Sequence, residues 1–321
     1  MWFVFSLAAT LGWGFADIFY KAGSESSEKD SHLKITVWVG LVMGICSAGL
    51  LPFCETAFSL SGFLTSTVRY FPASLGYILS MVIGYAGLRY LEVSVVSPVQ
   101  NASGAFSAVA MLVYFIAVGR ISDLSDAVSP LETAATVIII IGVVGIAVAE
   151  QRLSKKEIAK SGENKKYRYG AFALIFPLLY CLFDTLGTAA DGIILDENSG
   201  MGLGEKDVLV IYGFTFFAAA VIAYAVLLIR NRRPYNPFEP KEMRVKGAAA
   251  VCEQTGQVFY VYAMAARPML AAPVIASYCI VSVLLSRLLL KERLKPSQSI
   301  SVTAVIIGIV LLGISEGFAA A

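Results

Sequence analysis

The sequence predicts an all-α polytopic membrane protein of ten transmembrane helices, arranged as two inverted five-helix repeats. Three observations predict it. Ten apolar stretches, each near the roughly 17–25 residues that a spanning helix requires, cover most of the 321 residues. Of the 25 Lys and Arg residues, 21 lie in or beside the loops that follow the odd-numbered stretches, an alternation that a wrong helix count would scramble. The longest polar interruption, 151–168, leaves five stretches on either side of it. An odd number per half makes a repeated half enter the membrane upside down.

The first stretch, 1–21, lacks the basic start of a signal peptide and carries Trp13, Asp17 and Tyr20 where a plain apolar core would stand, so it reads as a helix. The second, 35–54, holds Gly40 and Gly44 as a small-residue stripe suited to a close helix contact. The third is 71–88 and the fourth 93–118; Asn101-Ala-Ser falls inside the latter, where glycosylation is not expected. The fifth, 131–150, closes the first repeat, 1–150. A basic linker, 151–168, leads to the second repeat, 169–321, with stretches 169–190, 207–229, 247–266, 268–290 and 297–316. The charge bias places 151–168 and 230–246 in the cytoplasm and both chain ends outside it, which makes the protein a multi-pass protein of the cell membrane.

Hydrophobic residues at 57% against charged ones at 15% fit a surface that faces lipid, and a net charge of +2 gives no general attraction to nucleic acid. All five cysteines lie in apolar segments without a CxxC, so neither a disulfide framework nor a metal site is expected. There is no GxxxxGK[ST] pattern for ATP use, and the single His32 sits in a loop beside Lys34. No cofactor is expected.

The halves echo each other faintly. Trp13 to Asp17 parallels Tyr180 to Asp184, Ser97-Pro98-Val99 parallels Ala272-Pro273-Val274, and Gly142 to Glu150 parallels Gly308 to Glu316. With Leu11-Gly-Trp13-Gly14 and the run Leu288-Leu-Leu-Lys-Glu292-Arg293-Leu294, the chain resembles the drug/metabolite transporter superfamily, in particular its EamA-type members. The resemblance spans nearly the whole chain. It departs at Gly119-Arg120-Ile121, which lacks the signature Glu, and in the chain ends, which that family usually keeps in the cytoplasm. The resemblance implies a ten-helix transporter.

Ionisable groups in hydrocarbon cost about 2.5–3.5 kcal/mol on insertion scales, so they face protein or a wet cavity. Asp17, Asp184 and Glu253 qualify. Asp17 has Lys21 four residues on as a local partner; Asp184 has none and is expected in the opposite membrane half. On stretch eight, Glu253, Gly256, Gln257, Tyr260 and Met264 share one face: an acid, an amide, a phenol and a gap left by glycine. Gln100 and Asn101 stand at a similar depth on stretch four. The repeat register of Pro98 with Pro273 sets Ile78 and Val82 against Glu253 and Gln257, so this polarity is not shared architecture. Glu253, Gln257, Tyr260, Gln100 and Asn101 are therefore the expected substrate-binding residues. Trp13, Asp17, Tyr85, Pro98, Tyr180, Asp184 and Pro273 are expected in the pathway or its gates, with Tyr20 and Tyr262 as further candidate wall aromatics.

These features predict a secondary transporter of a small organic metabolite (an amino acid, amine, sugar or nucleoside), working by alternating access. A proton or cation exchanged at Glu253 is the expected coupling partner, with membrane lipid as the surrounding one. A cation channel or carrier is the alternative. An intramembrane enzyme built on Asp17 and Asp184 is disfavoured, because the two acids are expected far apart.

Overall fold

The computed structural model describes residues 1–24, 30–54, 59–87, 100–122, 128–161, 175–196, 203–290 and 296–320. These residues form α1 (Trp2–Gly23), α2 (Ser31–Leu50), α3 (Leu60–Gly87), α4 (Ser103–Ala117) and α5 (Pro130–Ser161) in the first half. The second half holds α6 (Ile175–Ile194), α7 (Glu205–Asn231), α8 (Ala248–Ala266), α9a (Pro268–Ala276), α9b (Tyr278–Leu290) and α10 (Pro296–Ala320). No strand occurs among the described residues. The polytopic all-α fold is as the sequence predicts.

Apolar character differs between the helices for a reason. Trp2–Gly23, Ser31–Phe53 and Glu205–Asn231 are each long and apolar enough to cross a membrane unaided, while several others present only shorter apolar windows. On α6, Leu178, Leu182 and Leu186 point outward and are more than half exposed, while Cys181, Thr188 and Asp191 on the other side are buried. That polarity is inverted relative to a soluble helix, and the inward polar face lowers mean hydropathy.

Boundaries depart from the sequence reading in several places. The second helix begins at Ser31, so His32 is helical and not in a loop. The third begins at Leu60 and carries Pro72 within it. The fifth runs 32 residues to Ser161. At 1.5 Å per residue that is about 48 Å against a hydrocarbon core of about 30 Å, so the first part of the expected linker is a helical extension beyond the lipid. The expected ninth helix is broken at Ser277. There the Val274 carbonyl accepts from Ser277 N (3.1 Å), Ser277 Oγ (2.5 Å) and Thr10 Oγ1 (3.2 Å). A matching turn at Ala102 precedes α4, four residues after Pro98 as Ser277 stands four after Pro273. Pro98 itself lies outside the described residues.

Packing joins the two halves helix by helix. The antiparallel pairs are α1 with α8, α3 with α6, α2 with α7 and α5 with α10, and α4 crosses α9a. Exchanging the halves turns α1·α8 into α6·α3 and leaves the other pairs unchanged. The two exchanged pairs cross at glycines. A methyl group on Gly12 would reach within 2.9 Å of Gly256, and one on Gly76 within 3.0 Å of Gly187. Absence of a side chain at both partners lets the backbones touch, which is how helices associate where no hydrophobic force separates them from lipid.

Cross-half ion pairs stand at both ends. At the end where α8 finishes, Arg267 clasps Glu132 (2.9 and 3.2 Å) and Arg120 pairs with Asp196 (3.2 Å). Glu132 also accepts from Ser129 N (2.8 Å) while Ser129 Oγ accepts from Glu132 N (3.2 Å), a reciprocal cap that starts α5. Two of the four basic residues on the charge-poor side are thereby neutralised. At the opposite end Arg230 meets Asp30 (2.9 Å) and Lys34 meets Glu242 (3.4 Å) across the halves, and Glu242 also pairs with Lys246 of its own half (2.7 Å).

Two outcomes follow. Gly76→Val forces α3 from α6 and lowers stability by about 1–3 kcal/mol, read as thermal unfolding in detergent; Gly49→Ala, where nothing lies within 4 Å, leaves it unchanged or slightly raised. Partial burial pushes the Glu242 carboxyl up, but the bond and charge of Lys246, with Tyr235 and Lys34, hold it below the ordinary carboxylate value. Its folded value being depressed, its contribution is full above the unfolded value and is lost as pH falls through the folded one. Unfolding followed from neutral to acid pH therefore loses part of its acid limb in Glu242→Gln.

Candidate functional site

α1, α3, α4, α6, α8 and the broken ninth helix enclose one cavity between the halves, with free volume of about 90 Å³. That is space for several waters and less than a metabolite occupies, so the helices must part to admit one. Of the expected site residues, Glu253, Gln257, Tyr260, Gln100, Asn101, Trp13, Asp17, Tyr85, Tyr180 and Asp184 all line it. Pro273 is buried behind Ala272, Ile275 and Ala276, which do line it. Met264 lies beyond it, and Tyr262 packs against Phe5 instead (5.7 Å between ring centroids).

The polar residues stand in layers along α3, α6 and α8. At the end nearer the start of α8, Tyr20 Oη donates to Glu253 Oε2 at 3.1 Å, and the Tyr20 ring lies 4.8 Å from that of Tyr85. The cavity wall therefore gives Glu253 one phenol partner within a buried setting. Asp17 also faces the cavity, with Ser282 and Lys21 as polar neighbours. Asp17 and Asp184, expected in separate membrane halves, both border this one enclosure.

In the middle layer Ser103 Oγ, at the restart of α4, donates to Asp184 Oδ2 at 2.6 Å, a short charge-assisted bond. Gln257 is 1% exposed and its Nε2 has no hydrogen-bond partner. The gap expected at Gly256 is already filled. Trp13 lies on that glycine, donates from Nε1 to the Glu253 carbonyl at 3.3 Å, and sits 5.2 Å from the Tyr260 ring at an interplanar angle of 33°. Glycine here receives an aromatic ring, which itself becomes cavity wall.

The layer toward the other end is a tyrosine bridge. Tyr77 of α3 and Tyr260 of α8 share a short hydroxyl–hydroxyl hydrogen bond, Tyr77 donates to Thr188 Oγ1 at 3.0 Å, and the Tyr212 ring meets Tyr77 edge-on at 5.7 Å. Sequence reading missed Tyr77, Thr188 and Tyr212. It also missed Asp191, a fully buried acid behind this bridge. The signal was available: Asp184, Thr188 and Asp191 follow at helical spacing on one face, but the expected end of the sixth helix at 190 placed Asp191 outside it.

Matching the two glycine crossings to each other pairs Gly12 with Gly187 and Gly256 with Gly76, an alignment that sets Glu253 against Ala73 and Gln257 against Tyr77, where the sequence alignment sets Ile78 and Val82. The same match brings Ala16 to Asp191, so Asp17 corresponds to the Asp191 neighbourhood and not to Asp184.

Residues 199–314 match the model of the EamA-like transporter family. No curated protein matches the chain. A solved structure titled only as the crystal structure of a protein is similar over 98% of this chain and 96% of its own, with a TM-score of 0.62 at 13% identity, which is a likeness of fold.

Proposed function

We propose that this chain, an EamA-type member of the drug/metabolite transporter superfamily and so a membrane transporter of small molecules, moves a small amine-bearing or polyhydroxylated metabolite by alternating access. The five helices on either side of 151–168 act as inverted units that rock about the shared cavity. One observation carries the reading: the cavity lies between the halves and gathers Glu253, Asp17 and Asp184 with amides and aromatics, and no lining residue among those described is basic. An acidic chamber walled by Trp13 and Tyr260 suits an ammonium group, held by charge at Glu253 and by a ring face alongside. Gln257 Nε2, buried and unpartnered, supplies a donor for a carboxylate or hydroxyl on the same molecule. A metabolite of the amino acid or amine class satisfies both ends, and sugars or nucleosides satisfy the amide and ring contacts. Glu253 exchanges a proton or cation as substrate leaves. The same three acids favour a cation carrier as the second reading, which ion flux without organic solute separates from the first.

A library of amino acids, amines, sugars and nucleosides screened by thermal shift on purified protein is expected to yield a stabilising ligand whose effect Glu253→Ala abolishes and Gln257→Leu weakens by about 1–3 kcal/mol. Hits that survive both changes would place binding elsewhere. In proteoliposomes, Glu253→Gln is expected to uncouple uptake of that ligand from a pH gradient. Orientation is checked separately: a reporter fused to the C-terminus that is active only outside the cytoplasm should be active, and the loop 230–246 should be protected from proteases added outside.

A further inference from the structure

Asp191 is a carboxyl that the substrate cavity does not use. It is 0% exposed on α6, and the cavity wall includes Tyr77, Thr188, Tyr212 and Tyr260 but not Asp191 or Tyr70. The ionisable groups that face it are Tyr70 and Tyr77 from α3, Tyr260 from α8, Tyr212 from α7, and Asp184 on its own helix. Neither of its oxygens meets a donor in full hydrogen-bond geometry, and of the phenols beside it only Tyr70 has a hydroxyl not already bonded elsewhere. The reason lies in the bridge. Each phenol has one hydrogen to give. Tyr77 gives its own to Thr188, which makes Tyr260 the donor to Tyr77 and leaves no hydrogen from either for the carboxyl beside them.

On the other side of Asp191, Gly192 is packed by Met111, Met264 and Pro268. Beyond them lies a second pocket of about 190 Å³, bordered by Arg120, Asp196, Arg267 and Pro268. Asp191 therefore stands inside the wall between this end pocket and the central cavity, against the hydroxyl bridge that joins α3 of the first half to α8 of the second. A fully buried carboxylate with Tyr70 as its one uncommitted donor is strongly unfavourable, whereas the acid form carries its own hydrogen. Neither pocket reaches it, so a proton fits there without needing space and a hydrated metal ion does not.

We propose that Asp191 is a proton-binding site that controls this wall. With the proton bound, Tyr77 and Tyr260 stay bonded to each other and the wall is shut. When the wall loosens enough for water from the end pocket to reach the carboxyl and take its proton, the carboxylate takes the hydroxyl hydrogens of Tyr77 and Tyr260 as its own donors. The bridge between the halves is then broken, and the cavity opens toward the end pocket. The proposal deepens the transporter reading and rests on it for its purpose, but it is tested without substrate.

Two measurements on the purified full chain test it. Infrared spectra recorded across pH should show a protonated-carboxyl stretching band that Asp191→Asn removes and that Glu253→Gln and Asp184→Asn leave in place; spectra unchanged by Asp191→Asn would overturn proton binding. Should Asp191→Asn fail to fold, Asp191→Glu must shift that band, and an unshifted band overturns the proposal equally. For the wall, Met264→Cys is placed in a chain whose five native cysteines are replaced, and its reaction with a charged maleimide is expressed relative to a cysteine at exposed Phe238. The relative rate should rise roughly tenfold or more from acid to alkaline pH. Asp191→Asn should hold it at the slow value throughout, and Tyr260→Phe should make it fast at both. A rate that ignores pH, or one whose pH dependence survives Asp191→Asn, would refute the gate. Either failure leaves the ligand screen above untouched, and a failed screen leaves these results standing.

Discussion

The helices around the cavity depend on two backbone contacts. Where Gly12 meets Gly256, and Gly76 meets Gly187, helices from opposite halves touch main chain to main chain. Lipid tails are as apolar as leucine, so burial of leucine gives little reason for helices to prefer each other over lipid; dispersion between touching backbones does. The crossings fix the rotation of α1, α3, α6 and α8 about their axes. Once rotation is fixed, each helix turns one polar stripe toward the space between halves and its leucines toward lipid. The cavity is the geometric consequence.

The same constraint accounts for how costly groups are tolerated. Glu253, Asp184 and Asp191 are each buried, yet their settings differ. Tyr20 donates to the first and Ser103 to the second, while the third has only the uncommitted Tyr70 hydroxyl beside it. A carboxyl that is matched by a donor within its own wall can serve a passing ligand by exchange. One left unmatched beside two phenols already bonded elsewhere is set up to compete for them. The three stand in successive layers along the helices, and the difference in role rests on local partners as well as on position.

The broken helix shows how sequence, local structure and site connect. Pro273 has no N–H to give, and one turn later the chain turns at Ser277, with the Val274 carbonyl taken up by Ser277 and by Thr10 from α1. Irregular backbone is admissible at this depth because it is enclosed by protein. Restart of the matching helix at Ser103 places a hydroxyl on Asp184. The interruption in the first half thus delivers a hydroxyl to the cavity, while that in the second is closed by Ser277 and Thr10.

The sequence by itself determined the number of spans, their alternation and most of the polar wall. These follow from composition and period, since a bilayer demands about twenty apolar residues per crossing and tolerates acids only indoors. Ten of the twelve named site residues line the cavity for that reason: helical spacing and depth are one-dimensional properties. What only the tertiary structure decided was rotation and register. It filled the notch at Gly256 with Trp13, brought Asp17 and Asp184 into one enclosure, and set Tyr77 against Tyr260 with Asp191 behind them. Those pairings join residues more than a hundred positions apart, and they depend on angstrom-scale backbone approach at glycines, which no periodicity in a single helix encodes.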